Sequence, residues 1–246
     1  RSTLFPYTTL FRSKEHGYSR HLYEFKDEYA NMPVDVQKDE EKGLYYVQKE
    51  KKRLYFRKST PAKKIQKYYR ALSMEQDRRS PHHYFNSVKE VTGKVFVDVG
   101  CAEGYSSLEI IEEAKHVYLF EQDEQWLEAI RATFEPWQDK VTIVQKYVSD
   151  HNSSREQTLD DFFNNQTNEH LFLKMDIEGA ERHALAGCNN LFQNCQKLDF
   201  AICTYHLRDD EEVISAFLDK HNCTYINQKG FFRHKIRSVV MRGSKK

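Results

Sequence analysis

Val95-Phe96-Val97-Asp98-Val99-Gly100-Cys101-Ala102-Glu103-Gly104-Tyr105 is the stretch whose reading decides the fold. It opens with a short run ending in the acid Asp98, β-branched and apolar on both faces, as a strand buried inside a parallel sheet should be. Gly100 and Gly104 let the backbone turn sharply and approach a ligand closely. Tyr105–Ala114 then carries helical periodicity, with Leu108 and Ile111 on one face and Glu109, Glu112 and Glu113 mostly on another. The N-terminus of that helix faces whatever the loop holds. Strand, glycine loop and helix together predict a cofactor loop.

The alternation continues downstream. His116–Phe120 reads as a second strand ending in Glu121, 23 residues beyond Asp98. An acid at that place can accept hydrogen bonds from both hydroxyls of a ribose. Glu124–Phe134 predicts a helix with Trp126, Leu127, Ile130 and Phe134 inward, and Lys140–Val148 a third strand. Ser149 and Asp150 at its end are candidates for the adenine side of a nucleotide ligand, or simply a loop. Thr158 is placed to cap a short helix.

The fourth strand, from His170, runs into Lys174-Met175-Asp176-Ile177-Glu178-Gly179-Ala180-Glu181. Lys174, Asp176 and Glu178 alternate, so an extended strand would put them on one face. A lysine within an apolar strand needs a partner. Three roles stay open. One is a structural ion network. Another is a carboxylate site, Asp176 with Glu178 or Glu181, for substrate hydroxyls or a divalent cation. The third is acid–base chemistry by Asp176, or by Lys174 with a lowered pKa. Arg182–Gly187 predicts a short helix. Leu198–Thr204 is a fifth strand that delivers Tyr205, His206 and Arg208 to the carboxyl edge, where open α/β sheets place their ligands. His206 is the candidate base there. Asp209 is a candidate cap for a helix running to about Lys220. Cys223–Asn227 and Phe231–Arg242, separated by Gly230, complete a count of seven strands.

Residues 14–80 read as an N-terminal extension and 81–246 as the main domain. Thr3–Ser13 resembles the translation of a sequencing-adapter oligonucleotide, so residues 1–13 are expected to be a non-native artefact. Leu44–Val47 and Leu54–Phe56 are expected to pair as a hairpin. Ala62 to about Gln76 is expected to be a helix, capped by Thr60 with Pro61 at the first helical position. From Lys42 to Arg79 there are 13 Lys and Arg against 3 acids, interleaved with aromatics. That mixture suits single-stranded nucleic acid or an anionic glycan, or is a solvated face beside an aromatic stripe. The loop Ser80–Tyr84 is a candidate neighbour of the active site, with His82 a candidate substrate contact.

Composition narrows the classes. The 246 residues, 39% hydrophobic and 30% charged, suffice for one substantial α/β domain with an appendage. The net charge of +1 gives no global case for a nucleic-acid or membrane partner. No apolar run approaches the roughly 20 residues of a membrane span, and no signal-peptide order is seen. Five cysteines without a CxxC pair suggest reduced thiols in a cytoplasmic protein.

A strand, glycine loop and helix with a second strand and an acid after them fits two cofactors. A dinucleotide loop wants GxGxxG around a pyrophosphate. Here the loop is GxxxG, with Asp98 before it and Glu103 within it. Those acids would repel a pyrophosphate and suit a cation. S-adenosylmethionine carries a sulfonium and an amino group and no phosphate. At this point the residues resemble known families. Asp98–Gly104 resembles motif I of class I S-adenosylmethionine methyltransferases, and Leu173–Glu181 resembles the (I/L)K(I/M)D(I/V)EGAE signature of the FkbM family. The likeness covers roughly Pro81–Met241, and Cys101-Ala102 departs from the common Ala-Asn pair.

The resemblance implies an O-methyltransferase acting on a hydroxyl of a sugar, glycan or related metabolite. It implies a Rossmann-like α/β fold, a seven-stranded mostly parallel sheet with its last strand antiparallel. The expected cofactor residues are Asp98, Gly100, Cys101, Glu103, Gly104, Tyr105, Glu121 and Asp150. Expected catalytic residues are His206, Asp176 and Lys174, with Glu178, Glu181, Tyr205, Arg208 and His82 around the acceptor. A divalent cation on Asp176 and Glu178 is the less favoured arrangement. The rivals are a nucleic-acid methyltransferase gripping through 42–79 and a non-catalytic module. Amino-methylating enzymes use a (D/N)PP(Y/F) turn after the fourth strand, where this chain has Asp176-Ile177-Glu178-Gly179.

Overall fold

The computed structural model describes residues 23–164, 169–232 and 235–245. The adapter-like stretch lies outside them. After a short helix, Lys26–Ala30, the N-terminal part carries Val36–Asp39 (β1), Leu44–Lys49 (β2) and Lys52–Tyr55 (β3), which form a three-stranded antiparallel sheet. The expected hairpin is its β2–β3 half. The helix Ala62–Glu75 comes next, with Pro61 rather than Thr60 at the cap position and no side-chain cap. Leu54, Phe56 and Ile65 are fully buried in the same apolar cluster as Phe96 and Leu108 of the main sheet and its first helix. Each such side chain contributes about 1.5–3 kcal/mol when removed from water. Part of the basic charge of 42–79 is used internally: Lys42 pairs with Glu135, Lys49 with Glu109, Arg53 with Asp39, Arg57 with Asp123, and Arg79 with Glu28 and Asp77.

The main domain contributes Val95–Val99 (β4), His116–Phe120 (β5), Val141–Val144 (β6), Tyr147–Val148 (β7), Glu156–Gln157 (β8), His170–Met175 (β9), Lys197–Cys203 (β10), Thr224–Phe232 (β11) and Lys235–Lys245 (β12). Seven of these form one sheet in the order β11-β12-β10-β9-β4-β5-β6. β4, β5, β6, β9 and β10 pair in parallel, and β12 runs antiparallel to both its neighbours. All five residues of β4 are buried, because helices cover both faces of the sheet, which explains the unbroken apolar run. Leu108, Ile110 and Ile130 pack on one face, Leu185, Phe192 and Leu218 on the other. No helix among the described residues is long and apolar enough to cross a membrane.

Several boundaries differ from the sequence reading, each for a local reason. The third strand stops at Val144, where Lys146 N turns back to Val144 O at 3.0 Å. β7 pairs instead with β8. The fourth strand stops at Met175, and Glu178 (φ 55°) and Gly179 (φ 104°) reverse the chain. The expected single face of Lys174, Asp176 and Glu178 therefore does not form. Gly230 lies inside β11 rather than before the last strand, because a Cβ there would stand 2.1 Å from the Pro81 ring. Asp209 makes no side-chain cap; Asp210 Oδ2 accepts from Leu207 N at 2.5 Å instead.

Candidate active site

β4 has β5 on one side and β9 on the other, so the chain order reverses between β4 and β9. A crevice opens at the carboxyl ends of the strands at such a switch point. A cavity of about 610 Å³ lies there, within the usual range for small-molecule sites. The β4 loop, the ends of β5 and β9, and Tyr205 supply one side. Arg57, Tyr68, Leu72, Glu75 and Gln76 of the extension supply the other.

The loop is built by close approach. Gly100 has φ +80°, and a Cβ there would stand 2.1 Å from Asp176 O. Gly104 has φ +82°, and its Cβ would meet the Phe134 ring at 2.6 Å. Both positions exclude a side chain. The loop's N–H groups are used within the protein. Gly100 N and Cys101 N donate to Phe120 O, Gly104 N to Cys101 O, and Ala102 N to Glu121 Oε2. A pyrophosphate would need those donors, so the loop does not fit a dinucleotide.

Parallel register sets Asp98 beside Lys174. Lys174 Nζ is 2.8 Å from Asp98 Oδ1 and donates to Gly100 O at 2.7 Å. Ser107 Oγ donates to Asp98 Oδ2 at 2.6 Å. Burial alone would lower the lysine's pKa, but the Asp98 charge, with Asp176 behind it, raises it. Lys174 is thus a fixed cation that braces the loop. The sequence expectation of a lowered pKa, and with it a base role for Lys174, is corrected. The Asp98 charge is taken up by this lysine and is not itself offered to a cofactor.

The acids left for a cation are Glu103 and Glu121. Glu103 is buried and accepts from Tyr68 OH at 2.8 Å. Burial pushes its carboxyl up to about 7. Glu121 accepts from Ala102 N and, through Oε1, from Asp123 N at 2.8 Å. Each of its oxygens keeps a lone pair for a ribose hydroxyl. Cys101 and Tyr105 also line the cavity, and burial pushes the Cys101 thiol up. Asp150 does not line the cavity: it turns outward to His151 (2.8 Å) and His183 (3.5 Å) because β6 ends early. The cavity residues fit S-adenosylmethionine by charge and by hydroxyl acceptors.

At the other end, Asp176 Oδ2 accepts from Tyr84 OH at 2.6 Å, and Asp176 Oδ1 is 3.5 Å from His206 Nε2. His206 Nδ1 is 2.9 Å from Glu181 Oε1. Glu181 is fully buried and also accepts from Ile177 N (2.9 Å) and Gly179 N (3.0 Å). It does not line the cavity, where the sequence reading expected it, and instead fixes the His206 ring. His206 Nε2 is buried without a hydrogen-bond partner, aimed toward Asp176 and Glu178. Burial lowers the His206 pKa, but the Glu181 hydrogen bond and the Asp176 and Glu178 charges outweigh it, and the net shift is upward from 6.5. Ligand atoms of Asp176, Glu181 and His206 lie within 4.8 Å of one another, although both Glu181 oxygens already accept hydrogen bonds.

Glu178 and Tyr205 line the cavity; His206, Arg208 and His82 do not. His206 borders it through Asp176 and Glu178, 3.5 and 3.6 Å from its Nε2. Arg208 is exposed. His82 is buried behind Tyr205, edge-on to its ring and bonded to Tyr23 OH. Sequence reasoning does not find Tyr84, Tyr68, Arg57 and Trp126. Arg57 lies over the Trp126 ring at 3.9 Å and pairs with Asp123 at 2.8 Å. The only signal for Tyr84 is its place in the loop expected to flank the site.

The model of the methyltransferase FkbM domain matches residues 66–226. The chain belongs to the FkbM methyltransferase family. The methyltransferase class and the S-adenosylmethionine cofactor expected from the sequence agree with this membership. The FkbM methyltransferase from Methylobacillus flagellatus KT is similar in structure, with a TM-score of 0.51 and 16% identity over 75% of this chain and 55% of that one. The FkbM chain here thus spans just over half the length of that relative. Magnesium protoporphyrin IX methyltransferase from Synechocystis PCC 6803, with bound SAM, aligns with a TM-score of 0.48 and 13% identity, over 76% of this chain and 86% of that one. A putative methyltransferase from Streptococcus mutans in complex with SAH aligns with a TM-score of 0.44 and 15% identity, over 64% and 93%. No curated protein matches the chain.

Proposed function

We propose that this FkbM protein moves a methyl group from S-adenosylmethionine to a hydroxyl of a sugar, glycan or related metabolite. The cofactor supplies a methyl group activated by a sulfonium. The chain's residues bind it, align the acceptor and take the proton. Glu121 accepts from the ribose, and Glu103 faces the cationic part. Lys174 and Asp98 hold the loop rigid, so alignment costs little at the moment of reaction. His206, with Nδ1–H held by Glu181, presents Nε2 as the acceptor of the hydroxyl proton. The O–CH₃ bond forms as the S–CH₃ bond breaks, its electron pair stays on sulfur, and the proton ends on Nε2. Asp176, oriented by Tyr84, steadies the resulting imidazolium.

The observation that carries this reading is the buried Nε2 with no hydrogen-bond partner beside Asp176. Histidines are commonly structural, but a structural one this buried would pair both nitrogens. The turn Asp176-Ile177-Glu178-Gly179 in place of (D/N)PP(Y/F) weighs against methylation of a nucleic-acid base amine. His206→Ala is expected to cut turnover by about 10²–10⁴-fold while the cofactor Kd stays within about twofold. Turnover equal to that of the unsubstituted chain dismisses His206 as the base.

A further inference from the structure

Pairing inside the protein divides the basic charge of 42–79 unevenly. Lys42, Lys49, Arg53, Arg57 and Arg79 are in ion pairs, and Lys52 and Arg70 donate to the main-chain oxygens of Glu109 and Met32. Four of the six basic residues left over fall within ten positions, at Lys58, Lys63, Lys64 and Lys67. All four are exposed, and none has an ion pair or hydrogen bond among the described residues. No acid occurs between Lys51 and Met74, although the whole chain is balanced at 38 basic and 37 acidic residues. A surface kept only for solubility mixes both signs. The arrangement also works against the fold. The helix Ala62–Glu75 has no acid in its first turn and carries Lys63 and Lys64 there, where the macrodipole disfavours cations. Lys67 follows them at the i+4 and i+3 spacings at which like charges oppose a helix. Nothing inside the protein offsets this, whereas an anionic ligand would.

The same helix connects these lysines to the site. Tyr68, Leu72 and Glu75 line the cavity, and Lys64 stands one turn before Tyr68 on the same face. Tyr68 bonds Glu103 of the cofactor loop. Just past the helix, Gln76 Nε2 donates to His82 O at 3.3 Å and Gln76 Oε1 accepts from Tyr84 N at 3.4 Å. Tyr84 in turn bonds Asp176 beside His206. The helix thus runs from the lysines, past the cofactor loop, to the acceptor end, and Lys64 to Glu75 is about 16 Å along its axis. Asp176 and Glu178 lie 3.5 and 3.6 Å from His206 Nε2, so they repel an anionic group at the reacting hydroxyl itself. Negative charge that meets the lysines has to be carried farther along the acceptor, over a distance that a single sugar ring does not cover.

We propose that the methyl acceptor is an acidic oligosaccharide or polysaccharide. Its anionic groups lie on Lys58, Lys63, Lys64 and Lys67, while a hydroxyl several sugar rings away faces His206. This rests on the reading of the site as an O-methyltransferase. A single-stranded nucleic acid is the competing polyanion. It binds through aromatic stacking as well as charge, and Tyr68, the exposed aromatic beside the lysines, is already stacked on Trp126 and bonded to Glu103.

The test reads binding and turnover separately, with the full chain. Fluorescence anisotropy follows labelled oligogalacturonate, a neutral galactan oligomer of the same length and a single-stranded RNA oligonucleotide. Release of S-adenosylhomocysteine from S-adenosylmethionine is measured with acidic oligosaccharides, neutral ones and the constituent monosaccharides. The acidic oligomer is expected to bind about tenfold more tightly than the neutral one, a few exposed ion pairs' worth, and to lose that advantage as NaCl rises. Acidic oligosaccharides should also exceed their own monosaccharides in kcat/KM. The triple substitution Lys63→Gln, Lys64→Gln, Lys67→Gln is expected to remove the acidic preference without lowering Tm, because it relieves like-charge repulsion. Equal binding of acidic and neutral oligomers, or an acidic preference that survives the triple substitution, overturns the inference and leaves O-methylation standing. So does RNA that is bound through the lysines and methylated in preference to every glycan. Acidic oligomers that bind through the lysines while no hydroxyl acceptor is methylated overturn the O-methyltransferase reading itself.

Discussion

Replacing Glu181 with alanine separates a positioning role from a merely structural one. The carboxylate accepts from Ile177 N, Gly179 N and His206 Nδ1 at 2.9–3.0 Å. Loss of a carboxylate that serves three donors leaves each to find water in a partly buried turn. At about 1–2 kcal/mol per group, the loss is about 3–6 kcal/mol. For a chain of this size that lowers Tm by about 6–24 °C. The pH profile carries the sharper information. In the intact protein Glu181 raises the His206 pKa, so the active, neutral imidazole appears only as pH rises through that raised value. Without Glu181 the acid limb of kcat should move to lower pH while kcat itself falls, because the tautomer is no longer fixed. The assay is kcat against pH for the intact chain, Glu181→Ala and Glu181→Gln, with Tm measured alongside. A lower Tm with an acid limb that does not move refutes the positioning of His206 by Glu181. It would leave Glu181 as a brace for the turn alone.

The same geometry sets the remaining expectations. Glu121→Ala should weaken S-adenosylmethionine binding by about 10–100-fold, since each hydroxyl–carboxylate bond contributes about 1.5–3 kcal/mol; unchanged affinity in titration calorimetry would remove the ribose role. Lys174→Met strands the buried Asp98 charge and should cost about 3–5 kcal/mol, read as a loss of urea midpoint; near-native stability would contradict the ion pair. Glu103 has its pKa raised from 4.5 to about 7, so the folded free chain holds more protons than the unfolded one between those values, and stability should fall as pH rises through that window. Cofactor binding favours the ionised Glu103 and should release up to about three-quarters of a proton near pH 6.5, an effect absent in Glu103→Gln and measurable by calorimetry in buffers of different ionisation enthalpy.

The sheet is legible in the sequence because its strands are buried on both faces. His116–Phe120 matches the structure to the residue, the first strand runs one residue past the acid Asp98 to Val99, and the helix expected at about Glu124–Phe134, whose apolar stripe repeats cleanly, spans those residues. Features that depend on neighbours in space are not legible. The sequence sets Lys174 against the carboxylates two and four residues along its own strand. Its partner is Asp98, which only the β4–β9 register brings alongside. Glu181 looks like a ligand-facing acid, because its position in a helix gives no hint that the turn before it folds donors onto it. Tyr68 and Tyr84 come from segments far from the loop, and their hydrogen bonds to Glu103 and Asp176 are products of tertiary packing. Asp150 is misplaced by a continuous reading of the third strand, since the tight turn at Lys146 swings the later residues away.

Where the methyl group goes is the most direct question to put to the molecule. The full chain is incubated with S-adenosylmethionine labelled with ¹³C at the methyl and with a panel of sugar and glycan acceptors. NMR of the products reports the atom that receives the label. An O-¹³CH₃ ether resonance that disappears with His206→Ala is expected. Label on nitrogen or carbon, or an ether signal that persists at full rate without His206, would contradict hydroxyl methylation with His206 as the base.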